Sequence, residues 1–228
     1  MPIRTVLLDA GGVLVFPNWD RVSRVCQAHG IPVSPAALRQ AEPRIKFAID
    51  QAAGQAASSD AARFIDYLGG VLHEAGVPAS PERDAALADV RAYHAAENVW
   101  EFVPPDVFVA LDRLKAIGLT LAVASNANGT IHRCLDRVGL APYFDVICDS
   151  FVEGVEKPDP RFFQLILERS GGDADTTLHV GDLYHVDVIG ARRAGLRALL
   201  LDQHDMYGAF DADRIRSLAE LVERFDHT

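Results

Sequence analysis

The chain has 228 residues, of which 49% are hydrophobic and 24% charged, with a formal net charge of −10. This is an ordinary globular composition with room for a full core, as one domain with a large insertion or as two small domains. The acidic balance argues against nucleic acid or an anionic membrane as the main partner. A phosphorylated substrate stays open, because a bound divalent cation reverses the local field. Cys26, Cys134 and Cys148 show no CxxC spacing and sit in apolar contexts. They suit buried, reduced thiols of a cytoplasmic protein. No apolar stretch approaches the length of a membrane span. The first apolar run is interrupted by Asp9 and lacks a small-residue cleavage site after it, so it does not read as a signal peptide.

In chain order, Thr5-Val-Leu-Leu-Asp9 is a short apolar run ending in an acid, followed at once by Gly11 and Gly12. It reads as a buried strand with Asp9 at its C-terminal mouth, where open α/β sheets bind ligands. A carboxylate there needs a metal, a cation or backbone donors. From about Asn18 to Glu97 the chain is rich in Ala, Arg, Glu and Asp with little strand pattern. Asn18 caps a helix through His29 that Gly30 closes. Ser34-Pro35 and Ser80-Pro81 are caps followed by proline at the first helical position. Residues 62–74 carry apolar positions at helical spacing. Pro43 is expected to break or kink the second helix. This region reads as a bundle of about four helices, inserted after the first strand.

After Pro104-Pro105 helix and strand alternate. Helices are expected over 106–117, 131–138, 160–169, 188–194 and 213–225, and strands over 119–124, 144–148, 177–180 and 197–201. The alternation implies a mainly parallel, doubly wound sheet covered on both faces. Right-handed crossovers then bring the C-terminal ends of the strands to one edge. The expected division is an α/β core of residues 1–16 and 101–228, with a helical domain over 17–100.

That edge gathers Asp9, then Ser125-Asn126 after the second core strand. Lys157 follows in Val155-Glu-Lys-Pro-Asp-Pro160, and Gly181-Asp182 with Asp187 after the strand at 177–180. Three acids with a lysine and a serine fit an oxygen-ligand cation such as Mg²⁺ holding a phosphate. Asp159 and Glu156 read as turn or helix-cap acids, and His185 as an exposed loop histidine. In the helical region Trp19, Arg44, Lys46, His73 and Trp100 are side chains able to touch a substrate.

In their order and spacing Asp9, Ser125, Lys157 and Gly181-Asp182…Asp187 resemble the four motifs of the haloacid dehalogenase-like hydrolases. The most specific piece is His179-Val-Gly-Asp-Leu-Tyr-His-Val-Asp-Val-Ile-Gly-Ala-Arg-Arg-Ala-Gly195. The resemblance implies a Rossmann-like core, with the helical insertion as a cap over the active site. It implies Asp9 as a nucleophile that forms an aspartyl-phosphate. Ser125, with Asn126, would bind the phosphoryl oxygens, and Lys157 would neutralise charge on both. Asp9, the backbone carbonyl of Gly11, and Asp182 would hold Mg²⁺, with Asp187 closer to a water-mediated ligand.

The chain departs from the family's phosphatase pattern at Gly11. Phosphatases of this kind usually carry a second Asp there, which protonates the leaving group and then activates water. The reading is a Mg²⁺-dependent phosphomonoesterase acting on a small phosphorylated metabolite. The alternatives are a metal-free 2-haloacid dehalogenase and a phosphate-binding scaffold. The oligomeric state is open, a homodimer included.

Overall fold

The computed structural model describes residues 1–53 and 60–226. The chain forms two compact units, one of Met1–Phe16 with Phe102–Thr228 and the other of Pro17–Glu101. The first unit holds a six-stranded sheet of β1 (Thr5–Leu8), β4 (Thr120–Ser125), β5 (Val146–Asp149), β6 (Thr177–Gly181), β7 (Arg197–Leu201) and β8 (Arg214–Ile215). The spatial order is β5-β4-β1-β6-β7-β8, and every neighbouring pair is parallel. β2 (Phe16–Pro17) and β3 (Trp100–Phe102) pair as a separate two-stranded sheet where the chain changes unit.

The strands are near-continuous apolar runs because parallel sheets are covered on both faces. All four residues of β1 are buried. Helix α8 (Pro160–Ser170) supplies Phe162, Phe163 and Ile166, which pack with Leu7, Ala122, Ala124 and Cys148. Burying each such side chain contributes about 1.5–3 kcal/mol. Helices α5 (Pro105–Ala116), α6 (Ile131–Arg137), α9 (Ile189–Arg193) and α10 (Leu218–Asp226) complete the unit, with a short α7 (Ser150–Glu153) after β5. Cys26, Cys134 and Cys148 are buried thiols, as their contexts suggested.

The second unit carries α1 (Trp19–Ala28), α2 (Pro35–Ala53), α3 (Asp60–Glu74) and α4 (Pro81–Glu97). The Asn18 side chain accepts from the Arg21 amide at 3.0 Å, Ser34 from Ala37 at 3.1 Å and Ser80 from Arg83 at 3.1 Å, so all three expected caps form. Residues 54–59, within the expected bundle, lie outside the described residues.

Of the break or kink expected at Pro43, no break forms, and α2 runs through it from Pro35 to Ala53. A proline inside a helix costs about 3 kcal/mol. Leu38 and Ala41 before it are buried, and Ile45 and Ile49 after it pack on the same cluster, so tertiary burial holds both halves in one helix. The last helix begins at Leu218 rather than Asp213, because Arg214–Ile215 form edge strand β8. Arg214 Nη1 is held 2.9 Å from Asp202 and 2.7 Å from Asp205, and the Ser217 hydroxyl accepts from the Glu220 amide at 3.3 Å. The cap lies at Ser217. Among the described residues, no helix is long and apolar enough to cross a membrane.

Candidate active site

Asp9 follows β1 directly, and its amide donates to the Val180 carbonyl of β6 at 2.9 Å. The chain then folds back, with the Leu14 and Val15 amides both 2.9 Å from the Ala10 carbonyl and Gly11 bridged to Val15. Gly12 has φ +78°, a conformation that favours glycine. Its missing side chain has a second use, since a Cβ there would lie 1.8 Å from Asp182 Oδ2. Gly181 is pressed in the same way, where a Cβ would come within 2.1 Å of the Asp187 carboxyl carbon. Both acids of the fourth motif therefore lean into space that glycine leaves open.

Asp187 sits in a wide helical turn, Tyr184–Val188, that precedes α9. Its Oδ1 takes Lys157 Nζ at 2.8 Å and faces His179 Nε2 at 3.0 Å, and its Oδ2 accepts the Leu183 amide at 3.0 Å. Lys157 also reaches Asp9 Oδ1 at 2.9 Å, and the Ala10 amide donates to that same oxygen at 2.7 Å. Lys157, Asp182 and Asp187 are buried, and Asp9 retains 9% exposure, as a group open to a ligand must.

Burial and the negative charges of Asp187 and Asp182 push the Asp9 carboxyl up to about 8, against the opposing pull of Lys157. Burial alone would lower the Lys157 ammonium, but the carboxylates of Asp187 and Asp9 raise it above its usual value. For Asp187, burial is outweighed by Lys157 and His179, which hold the carboxyl below its usual range. Burial lowers His179, opposed by its bond to Asp187, so the ring is neutral.

One carboxylate oxygen from each of Asp9, Asp182 and Asp187 lies within 4.8 Å of the others. Three carboxylates face one ammonium, in an all-oxygen donor set, with the Asp182 oxygen in the hollow beside Gly12. These residues fit a hard divalent cation.

Ser125 ends β4, buried and in register with Asp149 of β5. Asn126 is bonded through its side chain to the main chain of Lys157. Its side-chain amide donates to the Lys157 carbonyl at 2.9 Å and accepts from the Lys157 amide at 2.8 Å. It fixes the main chain that carries the lysine, just before the cis Lys157–Pro158 bond. Asp159 caps α8 through the Arg161 amide at 2.9 Å. His185 is partly buried rather than exposed, edge-on to Tyr184 at 5.1 Å.

In the second unit Trp19 is a core residue, its Nε1 donating to Glu42 at 3.0 Å, and Trp100 stacks on Tyr67 at 5.4 Å. Arg44 is paired with Glu74 at 2.8 Å.

Sequence reasoning passed over Asp149 and Ser150. Asp149 accepts from the amides of Gly129, Ile131 and Phe151 at 3.0–3.2 Å, and the Ser150 hydroxyl takes the Ala127 amide at 3.1 Å. Together they pin the loop after Ser125. The available signal was an Asp-Ser pair following a strand, the usual chemistry of a cap.

A family model for haloacid dehalogenase-like hydrolases matches residues 3–195. The chain belongs to that family. The haloacid dehalogenase-like hydrolase domain-containing protein 3 of Danio rerio is 32% identical, over all of this chain and 98% of its own length. A ribulose-1,5-bisphosphate 5-phosphatase of Halopiger xanaduensis is 34% identical over 59% of this chain and 57% of its own. A phosphoserine phosphatase of Thermus thermophilus is 36% identical over 58% and 51%. Among solved structures, the haloacid dehalogenase-like hydrolase YfnB of Bacillus subtilis, described as bound to magnesium, superimposes with a TM-score of 0.72. It does so at 20% identity over 99% of this chain and all of that one, which establishes the shared fold.

Proposed function

We propose that this haloacid dehalogenase-like hydrolase is a Mg²⁺-dependent phosphomonoesterase that acts on a small phosphorylated metabolite through an aspartyl-phosphate at Asp9. The observation that carries the reading is the ion pair of Asp9 with Lys157, at 2.9 Å, beside the carboxylates of Asp182 and Asp187. The phosphatases among the relatives support the same class of substrate.

Asp9 Oδ1 is occupied by Lys157 and the Ala10 amide, which leaves Oδ2 as the attacking atom. Attack forms an Oδ2–P bond and breaks the P–O bond to the leaving group, which departs with that electron pair. Lys157 then neutralises charge on the carboxylate and on the phosphoryl oxygens, an electrostatic task suited to a buried ammonium. The Ser125 hydroxyl donates to a phosphoryl oxygen. Water attacks phosphorus in the second step, releasing phosphate and restoring Asp9. Mg²⁺ would be held by Asp9, the Gly11 carbonyl and Asp182, with Asp187 through water, and when bound it offsets phosphoryl charge. The helices of Pro17–Glu101 act as the cap that selects the substrate, and the protein works in the cytoplasm.

A second reading is a 2-haloacid dehalogenase, which also lacks an acid two residues after the nucleophile but usually carries an aromatic where Gly11 stands. Phosphate and halide release, measured over panels of phosphorylated metabolites and 2-haloacids with Mg²⁺ and with chelator, separate the two. Mg²⁺-dependent phosphate release is the expected result. Halide release that survives chelation, without phosphate release, would establish the second reading instead.

A further inference from the structure

His179 lies in the middle of β6, in register with Leu7 on one side and Ala198 on the other, and none of its surface is exposed. Its ring meets Phe163 edge-on at 5.0 Å. The neighbouring positions of β6 are apolar, and a leucine or phenylalanine would satisfy the packing at position 179 at lower desolvation cost. The imidazole's short side-chain hydrogen bond is Nε2 at 3.0 Å from Asp187 Oδ1, and the Leu7 backbone is a lesser partner. Facing a carboxylate, Nε2 of the neutral ring carries the proton and donates it. That same oxygen receives Lys157 Nζ at 2.8 Å, and Lys157 reaches on to Asp9 at 2.9 Å.

We propose that His179 is a positioning residue that fixes the Asp187 carboxylate from behind and, through it, aims the Lys157 ammonium at Asp9. The proposal rests on the reading of Asp9 and Lys157 as the reacting pair. Asp187 is then fixed by three donors, His179 and Lys157 on one oxygen and the Leu183 amide on the other. Without His179 the carboxylate is free to rotate about its remaining bonds, and Lys157 follows it away from Asp9. A hydrogen bond to a charged, buried group is the strong kind.

The test compares His179→Phe, which keeps the ring packing and loses the donor, with His179→Gln, whose Nε2 stands the same number of bonds from the backbone. Two readouts are taken. One is kcat on an aryl or acyl phosphate with saturating Mg²⁺. The other is the affinity of beryllium trifluoride with Mg²⁺, followed by ¹⁹F NMR, which requires no natural substrate. His179→Phe is expected to lower both by about 10- to 100-fold, and His179→Gln to stay within about threefold of wild type. In an Asp187→Asn background, His179→Phe is expected to add nothing further, because the partner it acts through is altered.

His179→Phe matching wild type would overturn the proposal. So would equal losses in the Phe and Gln variants, which would mark a packing role. If the phenylalanine does not fold, His179→Leu carries the same expectation, and failure of both to fold would establish a structural requirement in place of the proposed one. Wild-type protein that neither turns over nor binds the probe would refute the underlying reading of Asp9, an outcome distinct from a defect confined to the variants.

Discussion

Gly12 and Asp182 occupy one space: the hollow where a Cβ of residue 12 would stand is filled by Asp182 Oδ2, at 1.8 Å from that position. The glycine after the nucleophile turn is thus tied to an acid 170 positions later in the chain. Its left-handed backbone, φ +78°, adds a second demand for the same residue. Gly12→Ala should therefore displace the Asp182 carboxylate as well as strain the turn. The strain alone is worth about 1–2 kcal/mol. The expected outcome is a lower thermal midpoint that Mg²⁺ no longer raises, whereas Mg²⁺ raises that of the wild type. A Gly12→Ala protein stabilised by Mg²⁺ to the wild-type extent would show that Asp182 does not need that hollow.

Lys157 is buried between Asp9 and Asp187. Lys157→Met keeps the length of the side chain and removes the charge, and at alkaline pH, above the Asp9 value of about 8, it leaves two buried carboxylates facing each other. Removing one partner of a buried ion pair costs about 3–5 kcal/mol. Adding Asp9→Asn to Lys157→Met should recover part of that loss. Urea unfolding of the two single variants and the double variant at that pH measures the coupling, and strictly additive effects would contradict it.

The Asp9 carboxyl is raised to about 8, first by burial and then by Asp187 and Asp182. A carboxyl raised above its unfolded value near 3.9 contributes stability that is full below that value and is lost as pH climbs through about 8. In chelator, the wild type should lose stability between pH 5 and pH 9. Asp9→Asn, which carries no charge at any of these pH values, should lose less over the same range and show no turnover. Thermal midpoints of both proteins across that range make the comparison, and parallel curves would contradict it. Mg²⁺ should flatten the wild-type curve by taking the place of the proton.

Much of this site was legible because its parts are local. Asp9, Ser125, Lys157 and Asp182 each stand at or just beyond the end of a strand or loop whose sequence marks it, and the parallel sheet brings those ends together. The bond of Asn126 to the Lys157 main chain was not legible, because the two are 31 residues apart. His179 gave no sign of its role for the same reason, since only the closed turn at 184–188 returns Asp187 to it. The run from Asp213 read as helix because its apolar spacing continues unbroken into α10. What makes Arg214 a strand residue is main-chain pairing with β7, in which the Leu200 amide donates to the Asp213 carbonyl at 2.9 Å and the Asp202 amide to the Ile215 carbonyl at 2.8 Å. Pro43 shows the same precedence of burial over local propensity.

Gly11 leaves no carboxylic acid at the position that usually protonates the leaving group. Acid–base assistance is worth about 10²–10⁴-fold, and its absence matters least for a weakly basic leaving group. Acyl, aryl and anomeric sugar phosphates should therefore turn over faster than primary-alkyl phosphates. Gly11→Asp, provided it folds, should help the alkyl esters most. The measurement is rate against leaving-group pKa for both proteins. A flat wild-type slope, with chemistry rate-limiting, would mean another group supplies the proton, and His185 would be the first to substitute.

The central claim is that Asp9 becomes phosphorylated. Borohydride reduces an acyl phosphate to the alcohol, so trapping during turnover should convert Asp9 to homoserine with loss of phosphate. Peptide mass spectrometry reads the product directly. The account predicts homoserine at position 9, dependent on both substrate and Mg²⁺, and no such change in Lys157→Met. Steady phosphate release without homoserine at position 9 would contradict it.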